Sequence, residues 1–259
     1  MKKSLLLASA VLATTAFAAP AMAQSVTGSV GGAYVRSEAD LGPFDAEGDG
    51  ALIDASFAGK AFGEWTVTGA AQLAYSDNDF GDDTALAGSV HLTREFAGLR
   101  AGGFVAASDA GSDTLWTVGA QVQKDFAKAG LTGVVSYGNV EDLDIWTVGG
   151  EGSYFVLPTL RLNANFAYNN LEAGGDDVDV YTYGVGGEYQ INNSPVSVYG
   201  GWDRASMDDF DLDIDTFSLG LRFTFGGTLQ ERDRSGADLG RKIGGVAGAV
   251  AFIDGVSSL

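Results

Sequence analysis

The chain has 259 residues, with 34 acidic and 15 basic side chains for a formal net charge of −19, 38 glycines, 28 aromatic residues and no cysteine. This balance excludes a nucleic-acid partner held through phosphates and adhesion to an anionic leaflet through a basic patch, and without cysteine no disulfide staples the fold. No segment sustains a 3.6-residue apolar period, so length and composition point to one large all-β unit.

The first element is a leader. Lys2 and Lys3 precede an apolar run from Leu5 to Ala18, and Ala21-Met22-Ala23 supplies a small-x-small cleavage site, so residues 1–23 read as a secretory signal peptide and Gln24 as the first mature residue. The run is shorter than the roughly 20 apolar residues that span a bilayer. With Lys2 and Lys3 gone, 13 basic residues face 34 acidic ones.

From residue 25 the chain alternates with a two-residue period. A repeat runs through it: DTALAGSVHLTREF (83–96), DTLWTVGAQVQKDF (113–126), LDIWTVGGEGSYF (143–155), VDVYTYGVGGEYQ (178–190) and DIDTFSLGLRFTF (213–225), with GDGALIDASFAGKAF (48–62) as a weaker copy. Each copy is followed by a second alternating run, so one repeat is a β-hairpin. With SVTGSVGGAYVR (25–36) this gives twelve strands of about 9–11 residues. Six connections read as longer, acidic loops, near 37–49, 76–84, 108–113, 138–144, 169–179 and 204–215, and hold 23 of the 34 acids. The five between them are short.

Along every strand one face is apolar and bounded by aromatics. Tyr34, Tyr75, Trp116, Tyr137, Trp146, Tyr168, Tyr181, Trp202 and Phe217 stand at the acidic rim; Trp65, Tyr154, Phe166, Tyr189 and Phe225 stand near the short turns. Two aromatic bands on an apolar face are what two membrane interfaces select. The opposite face carries Asp54, Gln72, His91, Arg100, Gln121, Gln123, Glu151, Arg161, Asn163, Asn165, Glu188, Asp203 and Arg222. Such a set is costly to bury dry, so these are the candidate pore-lining residues of a wet lumen. The expected fold is a transmembrane antiparallel up-and-down β-barrel over residues 24–225, closed because an open sheet edge in hydrocarbon leaves backbone groups unpaired. If Tyr168 lies opposite Tyr181, antiparallel register sets Arg161 opposite Glu188 as a cross-strand ion pair.

The leader, the even number of hairpin strands, the aromatic bands and the last strand SLGLRFTF (218–225) resemble a Gram-negative outer-membrane β-barrel protein of the porin-like class. The resemblance covers residues 24–225 and implies location in the outer membrane of a Gram-negative bacterium, contact with its lipids, and insertion by barrel-assembly machinery through a terminal Phe. Phe225 ends the last strand but not the chain. Residues 226–259 follow as a periplasmic tail or a plug segment, polar in TLQERDRSGADLGRK and small-residue-rich in IGGVAGAVAFIDGV, with disorder around a marginal helix expected because Gly244, Gly245 and Gly248 disfavour one.

Twelve strands lie between eight-stranded barrels filled by side chains and porins with open channels, so the expected function is passive diffusion of small hydrophilic solutes or ions. The acidic loops favour cations and offer divalent ions a bridge to anionic lipid, although DDFDLDID (208–215) lacks the spacing of a calcium loop. No cofactor and no resident metal are expected. One alternative is a structural or surface-interaction barrel without conduction. Another is a lipid hydrolase using Ser89 and His91, weakened by their order, by their inward direction and by the lack of an orienting carboxylate.

Overall fold

A computed structural model of the protein describes residues 26–40, 45–78, 81–192, 194–207 and 212–242. Residues 1–25, the tips of three acidic loops (41–44, 79–80 and 208–211), residue 193 and residues 243–259 lie outside the described residues. Twelve antiparallel strands form: β1 (Thr27–Asp40), β2 (Asp45–Lys60), β3 (Trp65–Asn78), β4 (Gly81–Phe96), β5 (Leu99–Ala110), β6 (Asp113–Asp125), β7 (Ala129–Val140), β8 (Leu143–Leu157), β9 (Leu160–Ala173), β10 (Asp176–Gln190), β11 (Val196–Met207) and β12 (Leu212–Phe225). Each pairs with its neighbours in sequence, and β1 pairs with β12 to close the barrel. The seam runs from Gly28 opposite Phe225 to Asp40 opposite Asp213. Thus the regular apolar face of the last strand has its hydrogen-bonding partner in the first.

The strands are 12 to 16 residues long, not 9–11. Most of what the sequence suggests as long acidic loops is ladder: Asp144 pairs with Asn139, Glu172 with Asp177, and β9 and β10 are joined only by Gly174 and Gly175, both at positive φ. The reason is that alternation continues through the acids but with its sense reversed. Lower down, the outer face is apolar and the inner face polar. Near the acidic rim, Asp144, Asp179, Asp213 and Asp215 stand on the outer face, while the inner face carries Leu115, Ile145, Leu171, Val180, Met207 and Leu212, all buried in one cluster with Phe104. The two-residue period fixes this inversion, because neighbouring residues point to opposite faces. The lumen is therefore not polar along its whole height, a correction to the expected wet lumen. Beyond the apolar belt the strands present acids outside and bury an apolar core within.

The girdle aromatics lie on the outer face. Tyr34, Tyr75, Trp116, Trp146, Tyr154, Phe166, Tyr189 and Phe217 are exposed; Trp65, Tyr137, Tyr168, Tyr181, Trp202 and Phe225 are half-covered. Tyr137 packs on Trp146 with ring centroids 4.9 Å apart, and Tyr168 on Tyr181 at 5.5 Å. At the rim the polar tips meet the outward acids. Tyr137 donates to Asp144 at 2.6 Å, Tyr168 to Asp179 at 2.7 Å and Trp202 to Asp215 at 2.8 Å, while Tyr34 donates to Asp49. An amphipathic ring with its polar end turned to water is the arrangement an interface favours.

Candidate functional site: the barrel interior and the C-terminal segment

After Phe225 the chain reverses into the barrel. Gly226 and Gly227 take positive φ, and α1 (Leu229–Ser235) begins at once. Its ends are sealed locally. Thr228 accepts from the Glu231 backbone N–H while the Glu231 carboxylate accepts from the Thr228 N–H, and Gly236 closes the helix at φ 86°, a left-handed conformation suited to glycine. This capping box is a T-x-x-E signal present in the sequence. It corrects the expectation of disorder as far as residue 242: Leu229, Arg232, Asp233, Ala237, Asp238 and Leu239 are buried. A helix of seven residues is not stable alone in water, so its order comes from what surrounds it.

What surrounds it is the charged inner wall. Arg232, fully buried, donates to both Glu188 oxygens at 3.0 and 2.6 Å and to Thr224 at 2.7 Å. Its Nε donates to Asp238 at 2.9 Å. Asp238 also accepts from Arg161 at 3.0 Å and from Arg241 at 2.9 Å. Arg241 reaches Asp54 at 2.6 Å, and Lys242 sits 2.6 Å from Asp233 and 3.6 Å from Glu151. Burial opposes ionisation of Asp238, but the guanidiniums of Arg232, Arg161 and Arg241 outweigh it and hold the carboxyl well below the usual carboxylate range. Burial likewise opposes charge on Lys242, which Asp233 and Glu151 overcome, raising its pKa.

The wall charges also pair with one another. Glu188 lies opposite Arg161 in the ladder, as the 168/181 register requires, with the charged atoms 3.5 Å apart. Ser197 donates to Glu188 at 2.5 Å, and Arg222 bridges Glu188 at 3.0 Å and Asp54 at 3.1 Å while stacking over Tyr199 at 3.9 Å. Gly31 makes this bridge fit, because a Cβ there would stand 2.8 Å from the Asp54 carboxylate and 3.1 Å from Arg222 Nε. At the short-turn end Arg100 donates to the Arg234 carbonyl at 2.8 Å, Gln123 to the Asp233 carbonyl at 3.2 Å, and Arg234 to the carbonyls of Phe126 and Ala127 at 2.7 and 2.9 Å.

Of the thirteen inward residues, Asp54, Arg100, Gln123, Glu151, Arg161 and Glu188 thus meet the tail directly, and Arg222 supports the carboxylates that do. The remainder form other groups. Asn165 donates to Asp203 at 2.9 Å, with Asn163 two residues away on the same face; Asp203 points inward yet stays exposed. Gln121 is buried, and Gln72 lines a cavity of about 60 Å³ with Asp54, Ser89, Ser108 and Thr117, alanines 70, 87 and 106, and Gly240 and Arg241 of the tail. This is room for a few water molecules. The apolar cluster draws on β5, β6 and β8 to β12, and this Ala/Ser-lined cavity lies beside it, the two meeting at Ala106.

His91 and Ser89 are bonded at 2.9 Å and buried, and the imidazole stacks on Phe104 at 5.1 Å between centroids. Its Nδ1 makes no hydrogen bond, so the third member that orients a hydrolytic His is not at that atom. Among the described residues no group of three or more His, Asp or Glu is placed to hold a metal ion. The acidic segments 77–83 and 208–215 fall partly outside the described residues.

No protein-family model and no curated protein sequence matches the chain. Solved structures do. An outer membrane channel from Pseudomonas putida F1 aligns with a TM-score of 0.60 at 12% identity, over 79% of this chain and 97% of that one. The NanC porin aligns with a TM-score of 0.52 at 8% identity, over 76% and 98%. The translocator domain of the autotransporter NalP from Neisseria meningitidis aligns with a TM-score of 0.50 at 12% identity, over 84% and 98%. At these identities the likeness is one of fold. The fold is that of the outer-membrane β-barrel proteins, in a closed twelve-stranded form.

Proposed function

We propose that the protein is an outer-membrane channel for passive diffusion of small hydrophilic solutes or ions, in a Gram-negative bacterium. The observation that carries this reading is the eccentric cavity between the tail and the β2–β6 wall, lined by Asp54, Gln72, Ser89, Ser108, Thr117 and small alanines. Polar groups over a small-residue wall, with room for a few water molecules beside the tail, mark where an aqueous path would run once the tail is removed. The similarity to a channel and a porin agrees with it. The acids at the rim make cations the favoured solutes.

The test is liposome swelling with a protein ending at Phe225, checked for barrel integrity by heat-modifiable migration. Uptake of small sugars, reduced by Ala87→Trp in the cavity wall, supports the reading; a folded barrel that admits nothing refutes it. A second reading, a structural or surface-interaction barrel without conduction, is favoured by the apolar cluster that spans β5 to β12. Under it neither protein swells liposomes.

A further inference from the structure

The charges on the tail meet charges of opposite sign on the wall: Arg232 with Glu188, Asp238 with Arg161, Arg241 with Asp54 and Lys242 with Glu151, while Asp233 pairs with Lys242 within the tail. The contacts reach β2, β9, β10 and β12, so the segment is tied to opposite sides of the barrel. It also lies as the floor of the proposed path, through Gly240 and Arg241. The ladders that close the barrel run through β1 to β12 only, with no tail residue in any of them. The barrel and its plug are thus held by different forces, backbone pairing in one case and side-chain ion pairs in the other.

We infer that residues 226–242 are an autoinhibitory plug, docked through this ion-pair latch, whose release from the lumen opens the channel. The inference rests on the channel reading above and adds the gate to it. A covalent tail is present at high local concentration, so the closed state is the resting one, and free solutes do not displace it by competing for single sites. Buried pairs are little screened by salt, so ordinary changes in ionic strength leave the gate shut. Breaking one member of the latch loosens the whole, because each charge is bonded to two or three others.

The absence of native cysteine gives a clean test in the full-length chain. Ser56 on the wall donates to the Ala237 carbonyl of the tail, and both residues are buried. Three full-length proteins are compared in planar bilayers: the wild type, Arg232→Met, and Arg232→Met carrying Ser56→Cys and Ala237→Cys. Tryptic cleavage after Arg234, Arg241 and Lys242 reads out tail release separately. The inference expects rare openings in the wild type, an open fraction at least tenfold higher in Arg232→Met, return to the wild-type level when the cysteine pair is oxidised, and reopening on reduction. Equal, steady currents in the wild type and in the oxidised pair overturn the plug while leaving the channel standing. Tail release by proteolysis with no current in any form overturns the channel reading, and the gate with it.

Discussion

Asp238→Asn tests the latch at its most connected point. The substitution keeps volume and removes the one tail carboxylate that accepts from Arg232, Arg161 and Arg241, at 2.9, 3.0 and 2.9 Å. Breaking a buried pair by removing one partner costs about 3–5 kcal/mol. Here the lower end applies, because Arg232 and Arg161 retain Glu188 and Arg241 retains Asp54. At about 1.4 kcal/mol per tenfold change, about 3 kcal/mol multiplies the undocked fraction of the tail roughly a hundredfold. Trypsin reports this fraction directly, since cleavage of a transiently opened segment follows its open population when reclosing is fast. The expected result is slow cleavage at Arg234, Arg241 and Lys242 in the wild type and about a hundredfold acceleration in the variant, with the heat-modifiable barrel band unchanged. Rates within threefold of each other, or wild-type cleavage as fast as that of an unstructured peptide, refute the reasoning.

Other outcomes follow from the same structure. Because the Asp238 pKa is lowered by Arg232, Arg161, Arg241 and Lys242, its contribution is fully present above the ordinary carboxylate pKa of about 4 and is lost only as pH falls through the lowered value; amide exchange at Gly236 and Leu239, corrected for its intrinsic pH dependence, shows equal protection at pH 7 and 5, and release at mildly acid pH contradicts it. Gly236→Ala forces a left-handed residue without glycine's freedom, loosening the docked tail by about 1 kcal/mol and raising tryptic cleavage roughly fivefold; no change means the cap is not under constraint. Leu115→Ala in the apolar cluster lowers barrel stability by about 2–5 kcal/mol in denaturant unfolding, whereas Val118→Ala on the exposed outer face of the same strand costs much less; equal effects mean the upper lumen is wet.

The alternation of Phe217, Leu219, Leu221, Phe223 and Phe225 made the barrel and its seam legible, since a two-residue period with one aromatic-bounded face admits few other folds. Register was legible too: aligning Tyr168 with Tyr181 placed Arg161 against Glu188, because side-chain pairs in a ladder are fixed once one is known. The apolar cluster was hidden by composition. Ile145 and Val180 each stand between an acid and a girdle aromatic, and Leu171 lies in a segment that reads as a loop, so only the reversal of the alternation marks them as an inward cluster. The tail was hidden for a different reason. The capping box at Thr228 and Glu231 and the glycine at 236 signal a short helix, but its stabilising partners, Glu188, Arg161 and Asp54, are distant in sequence, and only barrel closure brings them together.

The most direct measurement is single-channel current in planar bilayers, with full-length protein beside a version ending at Phe225. A channel closed by its own tail gives few openings in the first and regular ohmic steps in the second. Silence in both, from barrels shown to be folded, contradicts the central claim and leaves a non-conducting barrel.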